Sequence, residues 1–271
     1  GVLCLTAVFI VVYTLFLLGF FAREVPLSEH KPFIMGGFKA LNSSPYGVAV
    51  LDGKLVLSYP SLKEIVFVDM KGEVLNRIKV ERGLTSLATF KGFVIGIDPL
   101  DGRIVKVQAD GTLKPFLEES FVNPISLAVR KEWIIISETY IGALFFKNIH
   151  SGDVRVVKLD AHLLGIDSSE DGLWGIIVKN QTLALLSWDT LRPIRWLYIP
   201  ASAPYDLAWD GEHIWITDYV KMEVIEVDPA RRVYITLYDK PPTWLPVVYI
   251  LLLLPFILSM LSKRSFVRGR E

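Results

Sequence analysis

Between Pro45 and Lys240 the chain is a succession of short apolar runs separated by polar turns. The stretch Ile97 to Thr112, IDPLDGRIVKVQADGT, is typical: an apolar lead into Asp98, a Pro-Leu-Asp-Gly corner, an alternating run, then Asp-Gly again. Runs of this length, alternating or continuously β-branched and aromatic, predict strands when turn residues bound them. Asp52-Gly53, Asp101-Gly102, Asp110-Gly111, Ser151-Gly152 and Asp210-Gly211 supply the turns. The unit recurs. Copies open at Pro45, Leu84, Pro124, Leu164 and Pro204, and a small residue stands fifth in each: Ala49, Ala88, Ala128, Ser168 and Ala208. Four short strands at a period of about 40 residues predict a β-propeller blade. A lone blade cannot bury both of its faces, whereas blades stacked around an axis bury them all. The small fifth residue is expected on the innermost strand, where blades crowd together.

Ring closure is less direct. Lys31 to Ser44, KPFIMGGFKALNSS, resembles Lys114 to Asn123, KPFLEESFVN, which is the outer strand and loop before a blade. The chain thus opens on an outer strand suited to clasp the last blade. Yet the fifth copy brings a candidate outer strand of its own, Arg231 to Lys240, RRVYITLYDK. The expectation is an all-β propeller of five blades with an extra strand at the closure, six being the alternative.

IDPLDGRIVKVQADGT and ITDYVKMEVIEVDPARR resemble NHL-repeat blades, the group that includes gluconolactonase-like and strictosidine-synthase-like propellers. The shared pattern is an aliphatic strand ending in an acid, a short turn, an Ile or Val strand, and a closing turn. The resemblance spans Pro45 to Lys240. It implies a fold more than a function, because propellers host unrelated activities. Copy four departs furthest, with Val178-Lys179 where other copies carry an acid.

Composition changes the picture at the two ends. The chain is 52% hydrophobic and 21% charged, and the apolar excess lies in residues 1–22 and 241–262, neither of which holds a charge. Each is 22 residues long, and about 20 suffice for a helix to cross a bilayer. Two transmembrane helices are therefore expected, the second bent at Pro246 and Pro255. A cleaved signal peptide is the alternative for the first, but its apolar stretch is long and Phe20-Phe21-Ala22 is a poor cleavage site. Lys263, Arg264, Arg268 and Arg270 follow the second segment, which places that end in the cytoplasm. Two spans then put both termini in the cytoplasm and residues 23–240 outside the cell membrane. This middle carries 25 basic and 28 acidic residues, and no basic face that nucleic acid would require. Cys4, in the first segment, is the only cysteine, so no intrachain disulfide forms. Asn42 and Asn180 head Asn-x-Ser/Thr glycosylation patterns.

Superposed copies place Tyr59, Asp98, Glu138, Val178 and Asp218 together at the end of the second strand. Asp98, Glu138 and Asp218 could ring the opening and hold Ca²⁺ or Mg²⁺, hard cations that take oxygen ligands. The favoured reading is that each caps its own turn, as Asp commonly does, with no cofactor bound. His30, His150, His162 and His213 lack zinc spacing. Asn123 precedes an innermost strand, where the resemblance implies ligands, but its equivalents Ser44, Gly83, Leu163 and Ala203 make no polar ring. Trp133, Trp174, Trp188, Trp196, Trp209 and Trp215 are expected mostly between blades. No Gly-rich phosphate loop or Gly-x-Ser-x-Gly elbow is present. The function expected is that of an extracytoplasmic interaction or scaffold subunit, its partners the bilayer and further membrane-protein subunits. The alternatives are a divalent-cation-dependent lactonase, lyase or hydrolase, and a sugar or peptide receptor.

Overall fold

The computed structural model describes residues 22–26, 34–179, 182–199, 201–230 and 232–236. The chain divides into two units: Leu27–Arg231, and Gly1–Pro26 with Arg232–Glu271. The first strands in chain order, β1 (Ala22–Pro26) and β2 (Ile34–Lys39), belong to different units.

The larger unit is a five-bladed propeller of four-stranded antiparallel sheets. Blade one is β3 (Val48–Leu51), β4 (Lys54–Tyr59), β5 (Glu64–Val68) and β6 (Val74–Lys79). Blade two is β7 (Leu87–Phe90), β8 (Phe93–Asp98), β9 (Arg103–Val107) and β10 (Leu113–Ser120). Blade three is β11 (Pro124–Arg130), β12 (Trp133–Glu138), β13 (Ala143–Asn148) and β14 (Val154–Lys158). Blade four is β15 (Leu163–Ser168), β16 (Gly172–Ile177), β17 (Thr182–Ser187) and β18 (Pro193–Tyr198). Blade five takes β19 (Pro204–Trp209), β20 (Ile214–Asp218) and β21 (Glu223–Val227) from one end of the ring segment and β2 from the other.

The second strand of every blade explains the continuous apolar runs of the sequence. β16 and β20 are buried along their whole length, and β4, β8 and β12 at every position but the first. Neighbouring blades cover both faces, so the period-two alternation is lost. Outer strands such as β6 and β14 are mostly exposed. Core clusters accordingly lie between blades: Val56, Ile65, Leu87 and Val105 join blades one and two, and Ile97, Ile104, Leu127 and Ile136 join two and three. Full burial of one such side chain contributes roughly 1.5–3 kcal/mol.

The ring has the five blades expected, and two expectations are corrected. Its closing strand is β2, which pairs with β21 from Ile34↔Val227 to Lys39↔Glu223. The segment 232–236, expected as the outer strand of the fifth copy, is β22 (Arg232–Thr236) and pairs with β1 instead. One edge of β21 can carry only one partner, and β2 holds it. The second correction concerns register. Pairings Val48↔Leu57, Leu87↔Gly96, Leu127↔Ile136, Ile166↔Gly175 and Leu207↔Ile216 show that copy four opens at Leu163, not Leu164. Asp167 therefore stands at the fifth position in place of Ser168, and Ile177 at the strand end in place of Val178. Gly47 and Gly165 confirm the shift: a Cβ on either would lie 2.9 or 2.7 Å from the amide nitrogen of Leu87 or Leu207 on the next innermost strand.

The second unit contributes the β1–β22 ribbon, in register from Ala22↔Thr236 to Pro26↔Arg232. Ala22, counted with the first apolar segment above, thus begins a strand. Residues 1–21 and 237–271, which hold both expected spans, lie outside the described residues. Among the described residues no helix is long and apolar enough to cross a membrane.

Candidate functional site

Each innermost strand turns one free edge to the axis, so its inward amides need acceptors there. At the third position the five blades carry Gly47, Ser86, Ser126, Gly165 and Asp206. Asp206 is fully buried. Its Oδ2 accepts Val48 N at 3.2 Å, Leu87 N at 3.4 Å and Ser86 Oγ at 2.9 Å, and its Oδ1 accepts Ser126 Oγ at 2.9 Å. Ser86 Oγ in turn accepts Leu127 N at 3.3 Å, and Ser126 Oγ accepts Ile166 N at 2.9 Å. One carboxyl and two hydroxyls therefore satisfy the axial amides of blades one to four. Burial pushes the Asp206 carboxyl up to about 7 against the pull of these donors. This hub is inconspicuous in the sequence, where Asp206 sits unremarked between Tyr205 and Leu207; comparing third rather than fifth positions is the signal that finds it.

On the upper face of the disc, where innermost strands begin, three tyrosines of blades one and five pack together. Tyr46 packs on Tyr205 with ring centroids 4.6 Å apart, and Tyr219 stands 5.9 and 6.2 Å from the two. The Tyr205 hydroxyl meets the Thr85 side chain, and burial pushes it up to about 12. Packed rings thus stand on the face to which the resemblance assigns ligands. Asn123 is exposed on this face.

The candidate metal residues reach the same face, each in its own blade. Asp98 Oδ1 accepts Leu100 N at 3.1 Å, and its Oδ2 lies 2.7 Å from Arg82 Nη1. Asp218 Oδ1 accepts Val220 N and Lys221 N at 3.1 and 3.0 Å, and Oδ2 accepts Ser202 N. Glu138 is buried at the equivalent position of blade three. Among the described residues no three His, Cys, Asp or Glu side chains group as a metal site requires. His150 pairs with Glu132 at 2.7 Å, the His162 ring meets Thr139 O, and His213 stands 3.4 Å from Glu226; His30 lies outside the described residues. Asn42 is exposed in the loop before β3, and Asn180 lies outside the described residues.

The rim of the upper face sets apolar side chains among charged ones such as Lys63, Asp101, Lys179 and Lys221. Its loops between second and third strands expose a large apolar side chain in every blade: Leu62, Leu100, Tyr140, Val178 and Val220. Val122, in the loop after β10, is 80% exposed, Tyr140 82% and Leu100 77%. The lower face differs in kind. Its turn tips carry Asp69, Asp110, Asp210 and Asp228, each accepting amides of its own turn. Near the axis on that face a cavity of about 150 Å³ is lined by Ala49, Ala88, Asp167, Ser168 and Trp209 among others. Asp167 accepts Ser168 N and Trp209 N, both at 2.7 Å, and burial pushes its carboxyl up to about 7. Of the tryptophans, Trp174 and Trp215 are buried and Trp196 is exposed on β18.

No protein-family model and no curated protein sequence matches the chain. Among solved structures it is similar to the glutaminyl cyclase of Myxococcus xanthus, with a TM-score of 0.60 at 10% identity over 75% of this chain and 97% of that one. It is also similar to virginiamycin B lyase from Staphylococcus aureus, with a TM-score of 0.49 at 14% identity over 81% and 89%. At such identities the likeness to the cyclase speaks for the fold alone: the chain folds as a five-bladed β-propeller.

Proposed function

We propose that the chain is a membrane-anchored, extracytoplasmic interaction subunit whose propeller docks a further membrane-protein subunit through its upper rim. The observation that carries this reading is the recurrence of apolar side chains on the rim. All five blades expose a large apolar side chain on one face while the opposite face ends in capped, acidic turns. Scattered apolar residues on a surface are ordinary, but one in the same loop of every blade, three of them with Val122 among the most exposed, is the recurrence a contact surface would carry. The β1–β22 ribbon supports anchoring. Ala22, at the end of the first apolar segment, pairs with Thr236, five residues before the second begins at Pro241. That pairing suits two segments entering one bilayer side by side, with the basic tail in the cytoplasm.

A lactonase- or hydrolase-type use of the acid ring has less behind it. Asp98 and Asp218 spend their oxygens on local donors, and three tyrosines pack together on that face. The test is site-specific photo-crosslinking in native membranes, with the photoreactive residue at Leu100 or Tyr140 on the upper rim, or at Lys71 on a lower turn. A discrete adduct with one integral membrane protein from the rim positions alone is expected. Adducts of equal yield from Lys71, or none from either rim position, reject the docking face.

A further inference from the structure

The lower face carries a second opening, off the axis, between blades three and four. It is a cavity of about 220 Å³ whose polar lining consists of Arg130 and Arg155 and whose aromatic walls are Trp133, Phe146 and Trp188. No carboxylate lines it. Basic side chains elsewhere in blades two and three reach an acidic partner: Lys91 pairs with Glu132, Lys147 with Glu119 and Arg82 with Asp98. Arg130 and Arg155 have none among the described residues. Two cations converging on one partly enclosed cavity raise its potential and favour an anion there.

The side chains are already arranged for one. The Arg130 guanidinium lies over the Trp188 ring, 3.8 Å from its centroid, and Trp188 Nε1 is fixed to Ser169 O at 3.1 Å. Stacking occupies the faces of the guanidinium and leaves its in-plane N–H donors free, the geometry that grips a carboxylate through two parallel bonds. Arg155, 5.7 Å from the Phe146 centroid, supplies a second donor set from the exposed outer strand β14. Such preorganisation lowers the cost of ordering on binding. The volume suits one six-membered ring, and the aromatic walls suit a flat apolar face rather than a bare phosphate.

We propose that this groove is a binding site for a carboxylate borne on a single ring, with the carboxylate held by Arg130 and Arg155 and the ring against the aromatic walls. An acidic sugar and a small aromatic acid share that chemistry. The experiment is saturation-transfer NMR on the purified full chain in detergent, with galacturonate and benzoate as probes and galactose and benzamide as uncharged counterparts. The expected result is transfer to an acid and not to its uncharged counterpart, weakened at least about tenfold by Arg130→Gln or Arg155→Gln, as loss of a charge-assisted pair requires. Transfer to galacturonate alone assigns an acidic sugar, and transfer to benzoate alone an aromatic acid. No transfer to either acid, equal transfer to the uncharged counterparts, or binding that survives both substitutions overturns the proposal. The uncharged comparison stands on the unaltered chain, so it decides even where a variant folds poorly.

Discussion

Asp206 makes the ring's stability depend on pH in a direction opposite to that of most carboxylates. Its native carboxyl is pushed up to about 7 from 3.8, chiefly by burial. Between those values the folded state binds a proton that the unfolded state does not, so stability is full below about pH 4 and falls as pH rises to about 7. A tenfold change in proton affinity is worth about 1.4 kcal/mol, which gives about 4 kcal/mol over the whole window and about 3 kcal/mol between pH 5 and 8. Asp167, also pushed up to about 7 by burial, adds to the loss in the same sense. The carboxyls held low, Asp110 by the Thr112 hydroxyl and Glu119 by Lys147, act in the opposite sense and chiefly below that window, where their unfolded counterparts take up protons. Urea unfolding of the 27–231 segment at pH 5 and pH 8 reads both groups together, about 6 kcal/mol, and the midpoint is expected about 2–3 M lower at pH 8 for a urea slope of about 2–3 kcal/mol/M. Asp206→Asn removes the titrating group and should lower stability at pH 5, because its amide nitrogen meets donors at Val48, Ser86 and Leu87. It should also remove about half the pH dependence, and Asp167→Asn the remainder. A wild-type midpoint that rises from pH 5 to 8, or an Asp206→Asn variant with the full slope, would refute the reasoning.

Three further outcomes follow from the geometry. Added Ca²⁺ should leave the melting temperature unchanged, since Asp98 and Asp218 serve their own turns; a rise lost in Asp218→Asn would instead reveal a jointly held cation. Deleting residues 34–39 bares the edge of β21 and removes Phe38 from its packing on Trp215, so the near-ultraviolet circular dichroism of the propeller should lose its cooperative melt. Gly102→Ala should destabilise far more than Gly53→Ala in thermal melts. Both have positive φ, worth roughly 1–2 kcal/mol, but a Cβ at Gly102 falls 2.0 Å from Phe121 O whereas Gly53 faces open space.

The strands are legible because their cause is local. Short β-branched runs between Asp-Gly turns can form little else, and a period near 40 residues admits few arrangements that bury every blade. The acids at Asp98 and Asp218 are likewise readable as turn caps, since an Asp two residues before an amide bonds to it in almost any context. The register of copy four is ambiguous for an equally physical reason. Leu163 and Leu164 are both aliphatic openings, and Asp167 and Ser168 are both compact, so a one-residue slip leaves the local pattern intact. Only the pairing of Asp167 with Trp174 across β15 and β16 settles it.

The sequence by itself determined the strands of the repeats, their period, and the two charge-free segments at the ends, because each depends on neighbours along the chain. Which strand closes the ring was decided by tertiary structure. Residues 34–39 and 232–236 are both plausible outer strands, and the choice rests on which one meets the edge of β21. The same is true of the hub, the groove and the rim. Asp206, Ser86 and Ser126 are 40 to 120 residues apart and meet only because five blades share an axis. Arg130 and Trp188 come from adjacent blades. The rim exists because each second-to-third-strand loop ends on the same face, a consequence of winding every blade outward in the same direction.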